Sequence, residues 1–224
     1  MFAGHIGAAL AIGRAERGLN VGLFIAAALL LDFLLWTFVL MGWESVAIPA
    51  DFAATHQAEF VFPYSHGLLA SVIWAGLAGL IGYAFCSQPR TRWRIGALLA
   101  LAVLSHWGLD AMVHRRELPL AGPASPAVGL GLWNNLPLAL LLEAAIVVVG
   151  LFLFVSGANV GRRKSTALVL LTVVAMVFTA LGMTVAPAPP SAMAMAGSSL
   201  ATLVFVCALA GWCGTPGKAS RPEQ

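Results

Sequence analysis

Asp32, His106, Asp110 and Glu143 lie inside long apolar runs, and His5, His66 and His114 stand near the ends of such runs. Ionisable groups in hydrocarbon are costly, and they face a bundle interior or a cavity. The sharpest local pattern is Ser105-His106-Trp107-Gly108-Leu109-Asp110-Ala111-Met112-Val113-His114. Spacing of i, i+4, i+8 sets three side chains along one helix face, drifting about 40° per step. His106 and Asp110 are then close enough to bind one metal ion. His114, about 12 Å from His106 along the axis, is expected to serve a second ion or the substrate. Imidazole and carboxylate suit zinc, manganese or iron. Cys86, Cys207 and Cys213 show no paired spacing and read as small hydrophobes, which leaves no soft thiolate site.

The elements that must position these residues follow from composition. Of 224 residues 60% are hydrophobic and only 9% charged, against about 25% charged in an ordinary soluble domain. Twelve Lys and Arg with nine Asp and Glu cannot cover a water-facing surface, so a solvated globular fold is excluded. The expectation is an all-α membrane protein forming a single bundle. A transmembrane helix needs about 20 mostly apolar residues, and six runs qualify: 19–43, 65–86, 94–113, 129–156, 166–186 and 196–213. A shorter apolar piece, Phe2 to Gly13, precedes them as a half-helix too short to cross, with no basic region ahead of it to mark a cleavable signal. The chain reads as one integral membrane domain, with 1–156 carrying the motifs, 157–214 adding two spans and 215–224 forming a cytoplasmic tail.

Basic residues set the orientation. Arg14, Arg17, Arg90, Arg92, Arg94, Arg162, Arg163, Lys164, Lys218 and Arg221 fall on one side of a six-span arrangement, and only Arg115 and Arg116 on the other. Both chain ends are therefore expected in the cytoplasm, in a bacterial-type inner membrane, with 44–64 outside. The pI near 9.1 implies no nucleic acid, because the basic residues sit where membrane-protein loops carry them.

Depth is the test of whether the buried groups can meet. With the inner arginines as markers, Asp32 rises about 18–22 Å above Arg17, and His106 about 18 Å above Arg94. Asp110 rises about 24 Å and His114 about 30 Å above the same arginine. Glu143 lies about 21–28 Å above the 157–162 turn, and His66 opens its span at the outer end. If the first segment dips inward and ends at Arg14, it lifts His5 by about 14 Å. The shared layer is the outer half of the bilayer. Singly, His5 or His66 suits an interfacial hydrogen-bonding role and Glu143 a helix-packing role, whereas seven groups at one depth argue for a common site. His56 reads as a solvated loop residue. Gly4, Gly7, Gly13, Gly76 and Gly79 suit close helix packing, and Trp36, Trp43, Trp93 and Trp133 suit interfaces or packing.

Gly4-His5-Ile6-Gly7, Leu31-Asp32, Tyr64-Ser65-His66 and Ser105-His106 through Leu118-Pro119-Leu120 resemble the membrane-bound metal-dependent hydrolases of inner membranes. The motif order is also similar to that of the zinc-dependent phospholipase C and single-strand nuclease group. This resemblance covers about residues 1–145. It implies that His5, Asp32, His66, His106 and Asp110 are metal ligands, with Asp110 bridging two ions, and that His114 and Glu143 match the remaining His and Glu. Phe60 to His66 keeps only the final His of the family's His-Arg-x-x-Thr-His-Ser pattern. Ala139 and its apolar neighbours stand where the soluble enzymes have a further histidine. One or two zinc ions are therefore expected instead of three.

The function expected is metal-dependent hydrolysis of a phospholipid or lipid-linked phosphoester, with Asp110 or Glu143 orienting water. Arg115 and Arg116 could hold the phosphate bidentately, or serve as ordinary interfacial anchors. A small divalent-cation or proton-coupled transporter is the second class, although no pseudo-symmetric halves are visible. Bis-histidine haem binding is a third, and it leaves Asp32 and Asp110 unexplained.

Overall fold

The structure, a computed structural model, describes residues 1–87, 89–156 and 161–214. Lys218, Arg221 and the 215–224 tail lie outside the described residues, as does most of the 157–162 turn. The described residues are mostly helical, with two short hairpins. Five helices are long and apolar enough to cross a membrane: α5 (Leu68–Phe85), α6 (Arg92–Val113), α7 (Leu136–Val155), α8 (Arg162–Gly182) and α9 (Ala192–Cys213). The sixth span is α2 (Val21–Ala28) followed by α3 (Leu30–Met41), bent by 47°. Their apolar faces, exposed in the bundle, suit lipid. This is a helical membrane protein.

The expected continuous span over 19–43 is thus broken at Leu29, which has φ −96° and ψ 4°. Side-chain capping starts the span, since Asn20 accepts a hydrogen bond from Gly22 N at 2.8 Å. Gly42 ends it in the left-handed region with φ 74°. The span expected over 129–156 starts later, at Leu136. Residues 127–134 instead form a strand and a 3₁₀ turn that close over the end of α6. Leu130 N donates to Ala111 O at 2.9 Å and Gly131 N to His114 O at 2.7 Å, which satisfies carbonyls that the helix end leaves open. Residue 129 has to be glycine, because its φ is 150° and a Cβ there would overlap the Arg115 carbonyl.

The short first helix, α1 (Phe2–Gly13), is buried along most of its length, including Ala3, His5, Ile6, Ala9 and Leu10. It packs on α7 through Gly7 and Gly150, where a Cβ on either residue would overlap the facing backbone. Backbones that approach this closely need small residues. α1 also touches α2, α6 and α8, so it is a core element and not a surface one. Met1 lies buried inside the bundle, and Arg14 follows the end of the helix. Gly79 meets Gly96 of α6, whereas Gly76 faces open space and has no packing role among the described residues.

Two short antiparallel hairpins are also present among the described residues. β1 (Ser45–Ala47) pairs with β2 (Glu59–Val61), flanking the short α4 (Phe52–Thr55). β3 (Leu118–Pro119) pairs with β4 (Ala127–Val128).

Candidate metal centre

Five of the candidate ligands meet at one place, contributed by α1, α3, α6 and the residue pair preceding α5. His5 Nε2 lies 3.2 Å from Asp110 Oδ1. His106 Nε2 is 3.1 Å from Asp110 Oδ2 and 3.7 Å from Asp32 Oδ1. His66 Nε2 is 3.5 Å from Asp110 Oδ2, 3.8 Å from Asp32 Oδ1 and 3.1 Å from His106 Nε2. The rings of His5 and His106 stack at 3.7 Å between centroids, with 7° between planes. Two sets, His5–Asp32–His106 and His66–His106–Asp110, hold their ligating atoms within 4.8 Å of one another. His5, His66, His106 and Asp110 are at most 2% exposed. Such a set of nitrogens and oxygens suits a cation.

For His66, His106 and His114 the far side of the ring tells which nitrogen carries hydrogen, whereas His5 Nδ1 has no hydrogen-bond partner among the described residues. His106 Nδ1 sits 2.6 Å from the Ala28 carbonyl, which only accepts, so Nδ1 is the donor. That carbonyl ends α2 at the break in the span. His66 Nδ1 pairs with Ser65 Oγ at 2.8 Å, and Ser65 Oγ itself donates to Glu44 Oε2 at 2.7 Å. The hydroxyl hydrogen is therefore committed, and His66 Nδ1 is the donor to Ser65. His114 Nδ1 pairs with Glu117 Oε1 at 2.6 Å, again as donor. In the neutral rings each Nε2 keeps its lone pair, and each points toward the carboxylates. Two nitrogens 3.1 Å apart, on His66 and His106, need either one shared proton or a cation between them. Nδ1–H anchored to carbonyl or carboxylate, with Nε2 free, is the arrangement that surrounds ligating histidines in metalloproteins.

Glu44 fixes this outer arrangement. Its Oε1 accepts from Tyr64 N and Ser65 N, both at 2.8 Å. Burial pushes its carboxyl above the ordinary value, opposed by the hydrogen bonds from Ser65 and Tyr64. In the sequence Glu44 merely opens the 44–64 connection. Its partner lies 21 residues away, and no local pattern links the two.

The remaining candidates divide. His114 is not on the α6 face, because the helix stops at Val113 and His114 is extended, with φ −65° and ψ 150°. Its Nε2 nevertheless lies 3.8 Å from Asp110 Oδ2, beside the cluster. Trp133 packs on its ring at 4.2 Å. Glu143 is buried on α7 with no hydrogen-bond partner for either oxygen. Its nearest ionic contact is the Met1 amino group at 4.0 Å, a group that also lies 3.4 Å from Asp110 Oδ1. Arg115 and Arg116 are exposed and do not line the site. Arg115 instead borders a neighbouring depression together with His56 and Gln57, and only Trp133 is shared between the two.

A cavity of about 460 Å³ opens onto the cluster. Asp32, His66, Asp110 and His114 form its polar side, while Trp36, Phe60, Phe62 and Phe178 give aromatic walls. Ser198, Ser199 and Thr202 of α9 also line it, so the last span is part of the site and more than bundle filler. The signal available in sequence is three hydroxyls at i, i+1 and i+4 within an apolar run. A mostly apolar cavity with a few converging polar groups is the usual form of a small-molecule site. In comparison with known proteins, no family model, no curated protein and no solved structure matches this chain.

Proposed function

We propose that this chain is an integral membrane metal-dependent hydrolase acting on a phospholipid or lipid-linked phosphoester at the outer half of the bilayer. The observation that carries the reading is the set of three histidines whose Nδ1 atoms are anchored to Ala28 O, Ser65 and Glu117. Their Nε2 atoms converge on Asp110. His5, Asp32, His66, His106 and Asp110 would hold the ion, with His114 beside them. Zinc suits this donor set. Bound there, a divalent cation supplies Lewis acidity, activating water near neutral pH and offsetting charge that builds on a phosphoryl oxygen.

The chain's own groups do the rest. Asp110, or the buried Glu143, accepts a proton from water and orients it. Aromatic walls hold the apolar part of the substrate and exclude bulk water. Arg115 and Arg116, exposed beyond His114 and outside the cavity lining, would attract an anionic headgroup before it enters. The arginine-bearing face containing Arg14, Arg94 and Arg162 is the cytoplasmic one, and the membrane is a bacterial-type inner membrane. The resemblance to membrane-bound metal-dependent hydrolases agrees with this reading.

Metal analysis of protein purified without chelator, together with phosphate release from lipid vesicles, tests the proposal. Wild type is expected to carry a divalent ion and to cleave a lipid phosphoester, and Arg115→Ala to weaken substrate binding while keeping the ion. A wild type without any divalent metal refutes the reading. Metal-dependent uptake into vesicles with no phosphate release makes the protein a carrier instead.

A further inference from the structure

The α9 wall of the cavity has a hydrogen-bonding polarity of its own. Ser198 Oγ donates to Met195 O at 3.1 Å, and Thr202 Oγ1 donates to Ser198 O at 2.9 Å. Both hydroxyl hydrogens are thus committed to the helix backbone, and the oxygens offer lone pairs to the cavity they line. Ser199 adds a third hydroxyl between them. No lysine or arginine side chain is among the described residues that line this cavity. Its remaining polar groups are the cluster, with Asp32 the most open at 21% side-chain exposure, and the Met1 end.

A ligand seated here meets the cluster with one part and an acceptor-rich helix face with another. The second part gains if it brings hydrogen-bond donors, and one that brings none leaves the α9 oxygens desolvated without partners. We infer that Ser198, Ser199 and Thr202 select a lipid phosphoester whose headgroup carries hydrogen-bond donors, either hydroxyl or primary ammonium, over one whose headgroup carries none. The inference rests on the hydrolase reading for the position of the phosphoester, and it concerns a helix that this reading does not otherwise use.

Lipid selection is measurable without turnover. Full-length protein is placed in nanodiscs holding equal parts of phosphatidylglycerol, phosphatidylethanolamine and phosphatidylcholine with identical acyl chains. After detergent extraction, retained lipids are counted by mass spectrometry, and metal content is read on the same sample. Wild type is expected to enrich the glycerol or ethanolamine lipid over the choline lipid by about three- to tenfold, the size of one or two hydrogen bonds. The double variant Ser199→Ala/Thr202→Val should lose the enrichment and keep its metal. Thr202→Ser, which retains the hydroxyl, should keep both and controls for folding.

Comparison of the glycerol and ethanolamine arms separates the two donor chemistries. Equal retention of all three lipids by wild type, or unchanged enrichment in the double variant, overturns the inference. If wild type also holds metal and releases phosphate, the hydrolase reading survives that result. Enrichment that disappears in the double variant, in a protein without metal, upholds selection by α9 and refutes the hydrolase reading alone. Altered metal uptake with unaltered lipid selection assigns the hydroxyls to an ion path and overturns the inference.

Discussion

His66 and His106 point their Nε2 atoms at each other across 3.1 Å, although one precedes α5, the other lies within α6 and they are 40 residues apart. Each ring is held from behind, one by Ser65 and one by the Ala28 carbonyl. Rotation of either ring would break an anchoring hydrogen bond, so the two nitrogens stay together, with a shared proton or a cation able to sit between them.

Asp110 is the carboxylate that touches the most partners, approaching His5, His66, His106 and His114. Asp110→Asn keeps the shape and removes the negative charge. Metal content should fall, and phosphoesterase activity should drop by orders of magnitude, because ion binding and water activation fail together. Elemental analysis beside a phosphate-release assay reads both, and a variant with full metal content contradicts this role.

Ser65→Ala deletes the acceptor for His66 Nδ1 without touching the cluster. Loss of such an outer partner typically costs about 10–100-fold in metal affinity. Competition with a fluorescent zinc chelator measures the shift. An unchanged affinity would mean that His66 is positioned by its packing on Phe62, whose ring lies 4.9 Å away, and not by Ser65.

Glu44 predicts a pH dependence. Burial raises its carboxyl above 4.5, so losing the proton costs more in the folded chain than in the unfolded one. This contribution to stability is complete below about pH 4.5 and is lost as pH rises through the raised value. Glu44→Gln, neutral throughout, should flatten that part of the profile. Melting curves in detergent at stepped pH compare the two, and parallel profiles would rule the assignment out.

Gly150→Ala places a methyl group against the Gly7 carbonyl. Overpacking of this kind costs about 1–3 kcal/mol, which in a chain of this size lowers the melting temperature by several degrees. Because α1 carries His5, metal affinity should fall in step. A variant as stable as wild type would show that α1 and α7 are less closely packed than described.

Much of this site was readable from residue types and depth. Asp32, His66, His106 and Asp110 were placed in one layer by counting from the arginines, and they do meet. His5 joins them because α1 is apolar throughout and has small residues where α7 crosses it. His114 leaves the α6 face because the 130–131 segment caps the helix at Val113 through backbone hydrogen bonds. Glu117, three residues on, then anchors its ring. The break at Leu29 has no proline or glycine to announce it, and Glu44 acts on residues far away in sequence. Tertiary contacts, which leave no local pattern, decided each of these.

The bend at Leu29 places a main-chain oxygen behind His106, and that has a consequence for mutational mapping. No side-chain replacement at position 28 removes that acceptor, so a scan that truncates residues one by one would pass over it. Only a change that straightens the rod, or a backbone ester in place of the amide, would uncover it. Part of this site is therefore written in the path of the chain and not in its letters, and related chains could keep it while sharing no residue there.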